Sequence, residues 1–347
     1  MDTPKESIFI TSLKSFLKGF FVVLGILFAF IPVILIFSGL FGSKDIIPSK
    51  NIVQILPDLE GNTMPLPEKT PAILQIDIQG VIGKGEMQKE QVKQMLLESR
   101  QHMFKKDRVK AILLNINTPG GAVFDGEGIY NALISYKKKY KVPIYAIVEG
   151  LNASCGMWIS CCADKIYATE MSLVGSIGAF IGPFFNVSKL FDKIGMEGKF
   201  VYDGKNKVAM TPFHPWGENE DENYKKIVGF IYEKFLDLMV TSRPKLSKEK
   251  LISTYGANVY PAPIAERYGY IDNGNSSYEE CLKDLLQAAK IDEKKPYQVV
   301  KMKPKRKWME ELFESSALFK GKIKHQIDMS PKSENGFDIM AIYNPSK

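Results

Sequence analysis

From residue 71 to residue 162, short and almost wholly apolar runs alternate with longer amphipathic stretches. Ala72 to Ile78 reads as a strand, Val109 to Asn115 as a second, and Val142 to Val148 as a third. Between the first two, Glu86 to Met103 carries apolar residues at helical spacing. A second helix is expected from about Asp125 to Tyr140, ending on Lys137-Lys138-Lys139, where cations complement the negative end of the helix dipole. Asn152 to Cys162 predicts a further short helix. Strands that are apolar at both alternations are buried on both faces, so strands of this kind separated by helices predict a layered α/β domain. Farther on, Asn223 to Thr241 sets Tyr224, Ile227, Val228, Ile231, Phe235, Leu238 and Met239 on one helical face, suited to a core or to a subunit contact.

The two ends of the chain break this rhythm. No residue from Gly19 to Ser43 is charged, and at about 1.5 Å per residue the run exceeds the roughly 20 residues that cross a bilayer core. A transmembrane helix at 19–43 is therefore expected, with Pro32 tolerated inside it. Lys5, Lys14 and Lys18 precede the run, whereas Lys44 beyond it is followed at once by Asp45. That asymmetry puts residues 1–18 in the cytoplasm and the rest of a single-pass cell (inner) membrane protein outside. A cleaved secretory signal is the competing reading, although its apolar core is normally about 7–15 residues. Residues 44–70, with Pro48, Pro57, Pro65 and Pro67, read as a linker to a domain at 71–290. Residues 291–347 read as an extension, basic at Lys301-Met302-Lys303-Pro304-Lys305-Arg306-Lys307 and loose from about Ser330. Its charge run suits solvent or anionic lipid.

Composition narrows the chemistry. The 46 basic and 39 acidic residues leave a net charge of +7 that is spread along the chain, which gives no support to a nucleic acid partner. Of the four cysteines, Cys155, Cys161 and Cys162 crowd into one short segment and Cys281 stands apart, without a CxxC pair. Buried free thiols are expected, with no disulfide framework and no metal site. The three histidines, His102, His214 and His325, are scattered, and no cofactor is indicated.

Reactive groups belong where glycine turns meet helix N-termini. Gly150-Leu151-Asn152-Ala153-Ser154-Cys155-Gly156 follows a strand and opens a helix, which puts the Ser154 hydroxyl near outward-pointing amides. Gly120 and Gly121 end another strand, and without side chains their amides can approach a carbonyl closely, as an oxyanion hole requires. Taken singly, a serine N-cap and a glycine turn explain the same residues.

Their combination is more specific. Asn117-Thr118-Pro119-Gly120-Gly121, then Ala153-Ser154-Cys155-Gly156, then Gly175-Ser176-Ile177-Gly178, with Ala163-Asp164-Lys165-Ile166-Tyr167-Ala168 between the last two, resembles the signal peptide peptidase A family. The likeness runs from about Ile73 to Leu286, and includes Lys193-Ile194-Gly195 and Ala265 to Asp272. It implies the fold shared by Clp proteases and crotonases, a spiral of ββα units, here behind one N-terminal transmembrane helix. It implies a serine–lysine dyad with Ser154 as nucleophile and, of Lys205 and Lys207, the second as general base. Ser176 would orient that lysine, and Gly120, Gly121 and Cys155 would supply oxyanion amides. A free lysine titrates near 10.4, so a lysine acts as a base only where its surroundings lower that value. The expected substrates are membrane-associated peptides such as cleaved signal peptides, and the expected assembly is a homo-oligomeric ring. Three features depart from the family pattern: Cys155 where a glycine is usual, Val208 where a polar residue is usual, and the segment Pro212 to Trp216. An inactive membrane scaffold of the same fold, an acyl-CoA enzyme and a Ser154–His214 arrangement are the alternatives.

Overall fold

Ile73, Leu74, Ile76 and Ile78 cannot leave either side of their strand to water. In the computed structural model, which describes residues 15–25, 51–85, 87–303 and 340–342, all four are at most 1% exposed. In chain order the elements from residue 51 onward are β1 (Ile52–Leu56), β2 (Ala72–Gln79), α1 (Lys89–Glu98), β3 (Val109–Thr118), β4 (Gly120–Ala122) and α2 (Val123–Tyr140). They continue with β5 (Ile144–Ala153), α3 (Cys155–Ser160), β6 (Lys165–Ala168), β7 (Leu173–Gly175), α4 (Ser188–Ile194) and α5 (Glu222–Ser242). The last are β8 (Val259–Pro261), α6 (Ala262–Tyr268), α7 (Tyr278–Ala288), β9 (Gln298–Lys303) and β10 (Met340–Ile342).

Eight strands make one sheet in the order β1-β9-β2-β3-β5-β7-β8, with β6 also on β5. The pairs formed by β2, β3, β5, β6 and β7 among themselves are parallel, and β9 joins β2 in parallel as well. Alternate residues of β2 and β3 go to opposite faces. Leu74, Ile76, Ile112 and Leu114 meet Val92, Leu96, Ile129 and Leu133 of α1 and α2, whereas Ile73, Ala111 and Leu113 meet Leu282, Leu285 and Leu286 of α7. Helices thus cover both faces, which is why these strands carry no polar alternation.

The domain is wider than the expected 71–290. β1 lies inside the stretch read as linker, and β9 inside the stretch read as a solvated basic extension. They pair antiparallel with each other, with Ile55 opposite Val300. β9 is buried from Gln298 to Val300 and again at Met302, Lys303 is exposed, and Lys301 folds back to an ion pair with Asp77. Arg108, 3% exposed, stitches the same region together. It donates to Thr70 O at 2.7 Å and to Met103 O at 3.2 Å, and it also reaches the Gln298 side chain.

Helix α1 is shorter than the expected 86–103, since the Ser99 hydroxyl turns back to Leu96 O at 2.6 Å and a 3-10 turn follows at His102–Phe104. The long helix expected at 223–241 is α5, whose second half packs Phe235, Leu236 and Met239 into the core. Its first half keeps Ile227, Val228 and Ile231 only half-buried and Phe230 exposed.

The chain divides into two units, Met1–Ser49 and Lys50 onward. Of the first, residues 15–25 are helical, with Phe16, Phe20, Phe21, Val22 and Val23 exposed. The span expected at 19–43 lies mostly outside the described residues, and no helix among the described residues is long and apolar enough to cross a membrane.

Candidate active site

Strand β5 divides its partners along its length. Tyr145 to Val148 pair with β6, whereas Leu151 to Ala153 pair with β7. Between the halves, Gly150 takes φ +130° and passes so close to Asn117 that a Cβ would stand 2.7 Å from Oδ1. Ser172 braces the bend, donating to Val148 O at 2.9 Å and accepting from Gly150 N–H at 3.0 Å. The bend carries the end of β5 to the edge where β3, β4 and β7 also finish.

Ser154 is the next residue. Its N–H donates to Gly175 O at 2.9 Å, which continues the β5–β7 ladder, while its carbonyl accepts from Trp158 N–H at 3.2 Å and starts α3. Between these two demands the backbone is held at φ 54°, ψ −118°, outside the regions an L-residue favours. Strain of this kind costs on the order of 1–3 kcal/mol and persists only where the surroundings over-determine it. Ser154 is 1% exposed, and its hydroxyl makes no hydrogen bond among the described residues. Ser176, also at positive φ, follows Gly175 directly, so the structure brings these two serines to adjacent strand ends.

Strand β4 forms the opposite wall. Thr118, fully buried, donates to Gly80 O at 2.6 Å and accepts from Gly120 N–H at 3.1 Å. Gly120 is therefore not placed as an oxyanion donor, because its amide is already committed; this corrects the expectation above. Ile82 N–H donates to Gly120 O and Ala122 N–H to Ile82 O, each at 2.9 Å. A Cβ on Gly121 would lie 2.1 Å from Ile82 O, so only glycine fits there. The Gly121 amide faces away from Ile82, on the edge where β10 places Ala341 opposite it, and Cys155 N–H opens α3.

The Cys155 side chain points away from that space. Its Sγ lies 3.6 Å from Ala122 O and so close to α2 that a Cβ on Gly126 would stand 1.9 Å from it. Burial, with Asp125 nearby, pushes this thiol up to about 12, which makes it an inert packing group. All four cysteines are free and buried.

The expected base is not joined to this centre within one copy of the chain. Lys205 and Lys207 are exposed in the turn from Gly204 to Met210, and neither ammonium makes a hydrogen bond or ion pair among the described residues. His214 clamps the same turn: Nε2 faces Val208 O at 3.0 Å and Nδ1 faces Pro215 O at 2.7 Å. Glu220 accepts from Met210 N–H at 3.0 Å and from Gly217 N–H at 2.9 Å. Neutral imidazole has one N–H for two carbonyls, so these contacts hold His214 above the ordinary imidazole range, with Glu220 adding to the effect. A raised folded value means that the clamp is complete below about pH 6.5 and is lost as pH rises through the His214 titration. NMR titration should show the His214 ring and the Trp216 indole, which donates to Thr211 O at 2.6 Å, shifting together with a midpoint above 6.5. A midpoint at or below 6.5 would refute the clamp.

Residues 136–292 match the model of peptidase family S49, and residues 75–174 match that of Clp protease. Over residues 136–292 the domain carries the pattern of peptidase family S49. Its sheet and helices are the Clp protease-like α/β fold. A protein of Enterococcus faecium provisionally named signal peptide peptidase SppA is 30% identical over 53% of this chain and 52% of its own. A provisionally named protease of Methanocaldococcus jannaschii is 32% identical over 54% of this chain and 58% of its own. Protease 4 of Haemophilus influenzae is 31% identical over 49% of this chain and 27% of its own. The chain thus spans about half the length of the first two relatives and less of the third. A solved ClpP1 mutant from Listeria monocytogenes aligns over 60% of this chain and 94% of its own, at 17% identity and a TM-score of 0.39.

Some residues that shape this site were not singled out from the sequence. Thr118 fixes the glycine turn, Ser172 fixes the β5 bend and Gly126 makes room for Cys155. Thr118 stood inside a quoted motif, so its buried hydroxyl could have been suspected. The role of Gly126 depends on a helix–helix approach that leaves no trace in spacing.

Proposed function

We propose that this chain is a serine endopeptidase: Ser154 attacks a peptide carbonyl, the amides of Gly121 and Cys155 hold the resulting oxyanion, and water releases the acyl-enzyme. The observation that carries this reading is the strained backbone of Ser154, held between a β5–β7 hydrogen bond and the start of α3 beside the glycine strand. A structural N-cap serine needs no such φ, and this N-cap makes no side-chain capping bond. The S49 match supports the same reaction.

Lys207 is the proposed general base. A lysine serves as a base when it is desolvated, and Lys207 is exposed in a single copy. A second copy would both bury it and bring it to Ser154, in a ring that shares each site between neighbours. The half-buried apolar residues Ile227, Val228 and Ile231, with exposed Phe230, suit such a contact. Anchoring through residues 19–43, with the domain outside the cytoplasm and cleaved signal peptides as substrates, completes the proposal.

The test uses fluorogenic peptides with apolar side chains. Lys207→Ala should lose at least about 1,000-fold in turnover, Lys205→Ala less than about tenfold, and a mixture of inactive Ser154→Ala and inactive Lys207→Ala proteins should recover activity. A mixture that stays inactive would reject the shared site, and normal turnover by Lys207→Ala would reject this base. Turnover that tracks a group near pH 6.5 and vanishes in His214→Ala would favour histidine instead.

A further inference from the structure

Asn152 is the next-to-last residue of β5, two before Ser154, and it is fully buried. It pairs with Thr118 of β3 on one side and with Val174 of β7 on the other. A side-chain amide carries donor hydrogens and an acceptor oxygen, and sinking it among apolar residues is unfavourable unless hydrogen bonds compensate. A residue that only filled this space would be apolar.

The amide reaches along the whole of α3. Its Nδ2 donates to Ser160 Oγ at 2.7 Å, and Ser160, itself fully buried and the last residue of α3, donates to Gly156 O at 2.8 Å. Its Oδ1 lies against the first turn: a Cβ on Gly156 would stand 2.7 Å from it, and 2.5 Å from Thr118 Cγ2. Oδ1 has no hydrogen-bond partner among the described residues, and a buried acceptor left so is destabilising. Stability alone therefore does not account for this side chain.

Ser154 is the joint between β5 and α3. Its N–H belongs to the β5–β7 ladder and its carbonyl to the helix, so each bond fixes one side of the joint. Among the described residues, the Asn152–Ser160 bond is the one side-chain hydrogen bond that runs from β5 to α3. A joint held at φ 54°, ψ −118° relaxes by turning the helix away from the strand, and a clasp anchored on either side of it opposes that turn.

We propose that Asn152 is a positioning residue for the nucleophile: its amide clasps α3 to β5 and so holds Ser154 in its strained conformation, with Ser154 Oγ and Cys155 N–H aimed at one substrate carbonyl. The clasp itself is a matter of packing and hydrogen bonding; its effect on turnover rests on the peptidase reading.

The test uses the full-length chain. Asn152→Leu keeps the branching of the side chain and removes both polar ends, while Ser160→Ala undoes the clasp from the helix side, so the test does not hang on one variant folding. With fluorogenic apolar peptides, each should lower kcat about 100-fold and leave KM within about threefold of the parent, because a shift of about 1 Å at the reacting atoms costs that much in rate. The double variant should turn over within about threefold of the slower single one, since both remove the same clasp. A second readout needs no turnover. Glycine occupies the Ser154 backbone region without a Cβ penalty, so Ser154→Gly in the otherwise unchanged chain should raise the melting temperature by about 2–4 °C. In the Asn152→Leu and Ser160→Ala backgrounds the joint has relaxed, and the same substitution should raise it by less than about 1 °C.

A full gain in both of those backgrounds, or none in the parent, would overturn the clasp. A lost gain with kcat unchanged, or a raised KM with kcat unchanged, would overturn its role in turnover. A wild-type chain that cleaves nothing would refute the peptidase reading and leave the melting result to decide the clasp.

Discussion

Ser154→Ala is expected to lower turnover of peptide substrates by at least about 10,000-fold, because the nucleophile and its base act as one unit whose loss is not made up elsewhere. The same position gives an unusual stability result. Ser154 holds φ 54°, ψ −118°. Glycine reaches that region without the Cβ penalty, so Ser154→Gly should be as inactive as the alanine variant and yet more stable, by roughly 1 kcal/mol. For a domain of this size that is about 2–4 °C in melting temperature. Calorimetry beside a peptidase assay reads both. If Ser154→Gly melted below wild type, the strain would not be real; if either variant kept a tenth of the turnover, Ser154 would not be the nucleophile.

Gly126→Ala is expected to be the most damaging of the small substitutions near the site. In an exposed helix the change would stabilise by up to about 1 kcal/mol. Here the new Cβ would stand 1.9 Å from Cys155 Sγ, a buried atom with little room to move. Overpacking of this kind costs about 1–3 kcal/mol or more. Relief comes most easily by pushing Cys155, and with it the first turn of α3, out of line, so activity should fall further than stability, by about 100-fold. The double variant Gly126→Ala, Cys155→Gly removes the clash and should recover most of both, with a coupling energy of about 1–3 kcal/mol. Chemical denaturation of the two single variants and the double variant measures it; additive effects would show that the contact does not matter.

That contact marks the limit of what the sequence could show. Ser154 and the two glycines were legible because a strand, a turn and a helix start each have local signatures. Strands β2, β3 and β5 were legible because burial on both faces leaves continuous apolar runs. Helix α5 was legible within a residue or so at either end from its apolar face. β1 and β9 were not, because the lysines of β9 resemble a solvated run until Asp77 is placed against Lys301, and β1 becomes a strand by pairing with β9. The glycine amides could be named from the motif, but only the Thr118 hydrogen bond shows that Gly120 is committed. Cys155 read only as a departure from the usual glycine; its side chain turns toward α2, into space that Gly126 leaves.

The position of β9 between β1 and β2 bears on how the chain is made. β9 pairs with β2 from Ala72 to Gln75, and the ion pair that locks them joins residues 224 positions apart. At synthesis rates of about 5–20 residues per second, the apolar edge of β2 waits roughly 10–45 s after it emerges before its partner exists. Strand pairing between such distant segments is slow in any case, since the closure entropy must be met before the contact forms. During that interval the edge is open to any other unpaired strand, so a chaperone or a translocation channel that shields residues 72–75 would be protecting the sheet at its most vulnerable seam.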